Sequence, residues 1–217
     1  MKRLFYIILM SLLFVILAVP AAMAFPDTVG YWARPQIDHL YSRAIINGYP
    51  DGYYHPQGYI SRQEFIVMLV NAIHKEEEAR QLQKGKASFN DDASAWGKGY
   101  IELARELTIT AGDKQGNFNP ENKISREEAV TMLINSLDYS QKAQTCDYSD
   151  AGEISDWARD AVIYAGNINL VKGYPDSTFR PSQNITRAEA ASLFEQFLDY
   201  KGDRFRFYGI IKSMDLS

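Results

Sequence analysis

Apolar residues fall at helical spacing in paired short runs, and the pairs recur along the chain. Ile37, Leu40, Tyr41, Ala44 and Ile45 follow i, i+3, i+4, i+7, i+8, the stripe of an amphipathic helix. Pro35 suits the first turn of that helix. Gly48-Tyr49-Pro50-Asp51-Gly52 then breaks the run with turn chemistry. A second helix is predicted from near Ser61, with Phe65, Met68, Leu69, Ala72 and Ile73 on one face. The same stripe returns as Ala129, Met132, Leu133 and Leu137, and again as Ala190, Leu193, Phe194, Phe197 and Leu198. No strand pattern of any length appears inside these units, so the chain reads as all-α. The charged stretch Lys75 to Lys86 reads as an extension of the second helix into a connector.

The recurrence is fixed in register. Steps of 64 and then 61 residues carry Trp32 to Trp96 and Trp157, Gly48 to Gly112 and Gly173, and Pro56 to Pro120 and Pro181. The same steps carry Arg62 to Arg126 and Arg187, and Glu64 to Glu128 and Glu189. Columns that share one pair of offsets mark a supersecondary repeat of about 60 residues. Two short helices bury little by themselves, so three units are expected to close on a shared core.

The ends differ in kind. Lys2 and Arg3, the apolar run Leu4 to Val19, and Ala22-Met23-Ala24 have the pattern of a signal peptide cleaved after Ala24. Sixteen apolar residues fall short of the roughly 20 that span a bilayer, so no membrane association is expected after cleavage. Loss of that segment leaves 21 of the 23 basic side chains against 27 acidic ones, moving the formal charge from -4 to -6. A net acidic chain repels polyanions at long range, which argues against nucleic acid and requires any anion to be held locally. The single Cys146 excludes an intramolecular disulfide. The expected organisation is a signal peptide at 1–24, repeat one with its helical connector at 25–86, repeat two at 87–146 and repeat three at 147–200. The remaining tail, 201–217, alternates over Arg204 to Lys212 and reads either as an edge strand or as a frayed, disordered end.

Each second helix opens on a related pentapeptide: Ile60 to Glu64, Ile124 to Glu128 and Ile185 to Glu189. Ser61 with Glu64, Ser125 with Glu128, and Thr186 with Glu189 fit capping boxes, which explains those six residues structurally. Capping does not explain the arginines. A cation in the first turn faces the positive end of the helix dipole and costs roughly 0.3–1 kcal/mol. Free helix N–H groups beside a guanidinium suit a carboxylate, so Arg62, Arg126 and Arg187 are candidate anion ligands. The alternative is an inter-repeat ion pair to Asp27, Asp91 or Asp150. On the anion reading, Arg187→Ala should weaken binding without lowering the melting temperature; on the ion-pair reading it should lower it.

At these residues the chain resembles the S-layer homology (SLH) domain family, whose pattern is a Trp-bearing helix, a Gly-Tyr-Pro-Asp-Gly loop, a Pro and Ile-Thr-Arg-Ala-Glu. The third repeat matches through Gly173 to Asp176, Phe179, Pro181 and Ile185 to Glu189. The second loop departs, reading Gly112-Asp113-Lys114-Gln115-Gly116 without the Tyr-Pro pair. The resemblance implies three helix–loop–helix SLH repeats in a pseudo-threefold arrangement around a central three-helix bundle. It also implies inter-repeat grooves that bind secondary cell-wall polysaccharide, an anionic polymer that often carries pyruvate ketals. Arg62, Arg126 and Arg187 would then meet the ketal carboxylate. Trp32, Trp96 and Trp157, with Gly48, Gly112 and Gly173, would contact sugar. For the tryptophans, core packing is an equal alternative. The implied location is secreted, at the cell wall or S-layer, with no cofactor.

Rival functions leave weaker marks. His39, His55 and His74 all lie in the first repeat and recur nowhere, so no catalytic constellation is marked and no enzyme is expected. Asn117, Asn119, Glu121 and Glu128 approach a calcium-loop count, but the leading Asp and central Gly are missing, so no metal is expected. The remaining alternative is an envelope structural or adaptor protein whose grooves hold S-layer proteins.

Overall fold

The computed structural model describes residues 25–92, 95–137, 145 and 147–202. The signal peptide, Cys146 and the alternating tail lie outside these residues. Among the described residues there are seven α-helices and no strand beyond isolated bridges. They are α1 (Arg34–Ser42), α2 (Arg62–Ala72), α3 (Glu76–Leu82), α4 (Lys98–Glu106), α5 (Arg126–Asn135), α6 (Asp156–Asn167) and α7 (Arg187–Tyr200).

Two sequence expectations are corrected. The first helix ends at Ser42 because Ala44 takes φ 55°, a left-handed value that closes a helix. Ile45 therefore lies outside the helix, yet it is buried, held by its N–H to the Leu40 carbonyl. Lys75 to Lys86 does not extend the second helix. His74 turns left-handed at φ 59° and α3 starts anew at Glu76. It lies so close to α4 that a Cβ on Gly99 would sit 2.1 Å from the Ala79 carbonyl oxygen, so only glycine fits there.

The three capping boxes form: Ser61, Ser125 and Thr186 accept from the backbone N–H of Glu64, Glu128 and Glu189, whose carboxylates return the bond. Each closes a helix start locally and is worth about 1 kcal/mol. The helices that follow, α2, α5 and α7, are buried around most of their circumference, whereas α1 buries only Ile37 and Leu40.

Packing exchanges partners between repeats. Helix α2 of repeat one packs on α4 of repeat two, α5 on α6 of repeat three, and α7 on α1 of repeat one. The backbone follows the same cycle. Ile124 N–H donates to the Ile60 carbonyl (3.1 Å), Ile185 to Ile124 (3.2 Å), and Ile60 to Ile185 (3.3 Å). All three isoleucines are fully buried, so this closed ring sits in the core. The N–H groups of Arg62, Arg126 and Arg187 donate to the carbonyls of Asn122, Gln183 and Gly58 in another repeat. The first free N–H groups of each motif helix are thereby consumed by protein, not left for a ligand.

Candidate functional site

The three motif arginines are 5–8% exposed, and each reaches into a neighbouring repeat. Arg187 is the most fully held. Its Nε donates to the Tyr54 carbonyl (2.8 Å), Nη2 to the Asn47 carbonyl (3.0 Å), and Nη1 lies 3.2 Å from Glu64 Oε1. Arg62 donates from Nε to the Phe118 carbonyl (2.8 Å) and from Nη1 to Glu128 Oε1 (2.5 Å). Arg126 differs: Nη2 donates to the Lys172 carbonyl (2.8 Å), Nε is buried without a partner, and no ion pair involves it among the described residues. Aromatic faces complete the seats, with Phe118 at 4.9 Å from Arg62, Tyr174 at 5.0 Å from Arg126, and Tyr54 at 4.4 Å from Arg187.

These geometries replace the acids expected from sequence. Asp27, Asp91 and Asp150 form no ion pair with the arginines among the described residues. Each instead accepts two consecutive backbone N–H groups: Tyr54 and His55, Phe118 and Asn119, Phe179 and Arg180, at 2.7–3.0 Å. The second residue of each pair is left-handed, φ 56–59°, so the carboxylate secures a strained loop. The ion-pair acids are two of the capping glutamates, Glu64 and Glu128, which serve two roles at once. Burial pushes the Glu64 carboxyl up, but bonds from Tyr49, Ser61 and Arg187 outweigh it and hold it below its ordinary value. Since Arg187 is ion-paired and nearly buried, its truncation is expected to lower stability, contrary to the anion reading taken alone.

The tryptophans resolve differently. Trp32, Trp96 and Trp157 are 57%, 58% and 59% exposed, so core packing does not explain their recurrence. The loop glycines have a structural cause that the sequence reading missed. A Cβ on Gly48 would lie 2.3 Å from a Phe25 ring carbon, on Gly112 2.4 Å from Phe89, and on Gly173 3.1 Å from Tyr148. Those rings pack on Tyr54, Phe118 and Phe179 at 5.3–5.7 Å. Phe25, Phe89 and Tyr148 each stand two residues before the loop-securing aspartate, a column that was available in the sequence.

One cleft of about 670 Å³ gathers site residues from all three repeats. Arg62, Gly112, Glu128 and Trp157 line it, together with Lys114 and Lys123. Among the described residues Arg62 Nη2 has no protein partner, and its guanidinium and the exposed Trp157 indole line one space. That pairing can grip a carboxylate while stacking a sugar ring. Among the described residues, no group of three or more His, Cys, Asp or Glu could hold a metal ion. The calcium-count residues are engaged otherwise: the Asn117 and Asn119 amides donate to Asp113, and Glu121 accepts from Gln63.

The S-layer homology domain family matches three times, at residues 24–66, 88–130 and 147–191. The chain is 31% identical over 82% of its length to an amylopullulanase of Thermoanaerobacterium thermosulfurigenes, of which it spans 10%. It is 27% identical over 80% of its length to S-layer protein EA1 of Bacillus anthracis, spanning 20% of that protein. It is 28% identical over 71% of its length to a cellulosome-anchoring protein of Acetivibrio thermocellus, spanning 35%. The matched segment is thus a small part of each relative.

Proposed function

Since the chain belongs to the S-layer homology domain family, we propose that it attaches non-covalently to the bacterial cell wall by binding secondary cell-wall polysaccharide between its repeats. The same matches place it at the cell surface. The polymer is anionic, and pyruvate ketals supply the carboxylates. The cleft that joins the free N–H of Arg62 to the exposed Trp157 is the observation that carries this reading. Each contact is weak alone, but several clefts on one polymer add by avidity. Residues 1–24 serve as the export signal, and 25–86, 87–146 and 147–200 as the three binding repeats. Catalysis is not assigned to this segment, because it makes up only a tenth of the relative with an enzyme's name that it matches at 31%.

The test is co-sedimentation of the protein with purified wall sacculi, native against ketal-stripped. Retention on native sacculi alone supports the reading. Equal retention on both removes the ketal carboxylate from it, and association only with added S-layer protein favours the adaptor role instead.

A further inference from the structure

The residue after the loop glycine is tyrosine in two repeats, Tyr49 and Tyr174, and Asp113 in the second. In the first loop the Tyr49 hydroxyl donates to Glu64 Oε1 (2.5 Å) and stands 3.4 Å from Arg187 Nη1, with its ring 4.6 Å from the guanidinium. In the third, the Tyr174 hydroxyl donates to Glu189 Oε1 (2.9 Å) while its ring covers Arg126 at 5.0 Å. Each phenol lies over the arginine that a ligand carboxylate would have to reach.

Asp113 does the reverse. Its carboxylate turns back into its own loop and accepts from the backbone N–H of Gln115 and Asn117 and from the side chains of Asn117 and Asn119, at 2.8–3.3 Å. Those bonds, led by the Asn117 N–H, hold its carboxyl down to about 2. This loop, Gly112 to Gly116, carries no ring to lay over Arg62, and the cleft that Arg62 lines lies at that place. Its lining has three cations, Arg62, Lys114 and Lys123, against two acids, Asp113 and Glu128, that already hold N–H donors. Thr131 also lines it, and its Oγ1 is buried without a hydrogen-bond partner among the described residues. The volume, about 670 Å³, suits a sugar of one or two rings.

We propose that the residue after the loop glycine decides which clefts admit a ligand carboxylate. Asp113 leaves the Arg62–Trp157 cleft as the primary site for a carboxylate-bearing sugar, while Tyr49 and Tyr174 are internal competitors that a ligand must displace. This rests on the wall-polysaccharide reading, and it adds that the clefts are unequal.

The full chain is titrated with a pyruvate-ketal disaccharide, and with the same disaccharide lacking the ketal, while the three indole N–H resonances are followed by NMR. The Trp157 resonance is expected to shift at about tenfold lower concentration of the ketal sugar than those of Trp32 and Trp96. Asp113→Tyr should weaken that shift about tenfold or more. Should Asp113→Tyr fold poorly, Tyr49→Asp provides the converse, a second tight site with higher stoichiometry. Three equal sites, or an unchanged Trp157 response in a folded Asp113→Tyr, would overturn the proposal and leave the wall reading intact. No response to the ketal sugar in any variant would overturn both.

Discussion

Replacing Arg187 tests the dual role of the motif directly. Arg187→Ala removes bonds to the Tyr54 and Asn47 carbonyls and strips Glu64 of its cation, with the two side chains only 6% and 17% exposed. Breaking such a pair costs about 3–5 kcal/mol. Relief of the unfavourable helix dipole returns only about 0.3–1 kcal/mol. The net loss is therefore about 3 kcal/mol, or roughly 6–12 °C in melting temperature for a chain of this size. Arg126 has no comparable ion pair among the described residues, so Arg126→Ala should cost about 1–2 kcal/mol. Thermal melts and urea midpoints of both variants, with Glu64→Gln and the double variant closing a cycle, measure the difference. A melting temperature for Arg187→Ala within about 2 °C of the parent would refute the argument. Equal losses at Arg187 and Arg126 would refute it too.

Gly48→Ala should destabilise by about 1–3 kcal/mol, since the new Cβ meets Phe25 at 2.3 Å; a urea midpoint equal to the parent's would contradict this packing. Trp157→Ala should leave the melting temperature nearly unchanged, because the ring is 59% exposed, while reducing retention on sacculi. Burial and the hydrogen bond to Glu64 push the Tyr49 phenol up to about 12, and burial does the same for Tyr54. Their folded values lie above the unfolded value near 10, so this contribution is whole below pH 10 and is lost as pH rises toward 12. Burial raises the Tyr174 phenol as well, so ultraviolet titration should show these three among the late phenols, with the Tyr49 contribution absent in Tyr49→Phe. Glu64 acts at the other end: its carboxyl is held below 4.5, so its contribution is whole above that value and fades as pH falls through the lowered one.

What the chain spells out by itself is whatever lies within a few residues. Ser61 caps a helix through Glu64, and Thr186 through Glu189, because a capping box closes between neighbours in sequence. The threefold recurrence, the all-α class and the helix starts follow from such local patterns and from register. The left-handed turns at Ala44 and His74 were less visible, since neither residue type advertises positive φ, and they moved the ends of α1 and α2. Tertiary structure alone chose the partners across repeats. Arg187 meets the Asn47 carbonyl 140 positions away, and Arg62 meets Glu128 in place of Asp91. It also decided that the tryptophans face solvent and that the cleft opens at the loop that departs most from the repeat pattern. The physical reason is that an arginine's seat depends on which carbonyls, rings and acids converge after the helices have exchanged partners, and no window along the sequence contains that geometry.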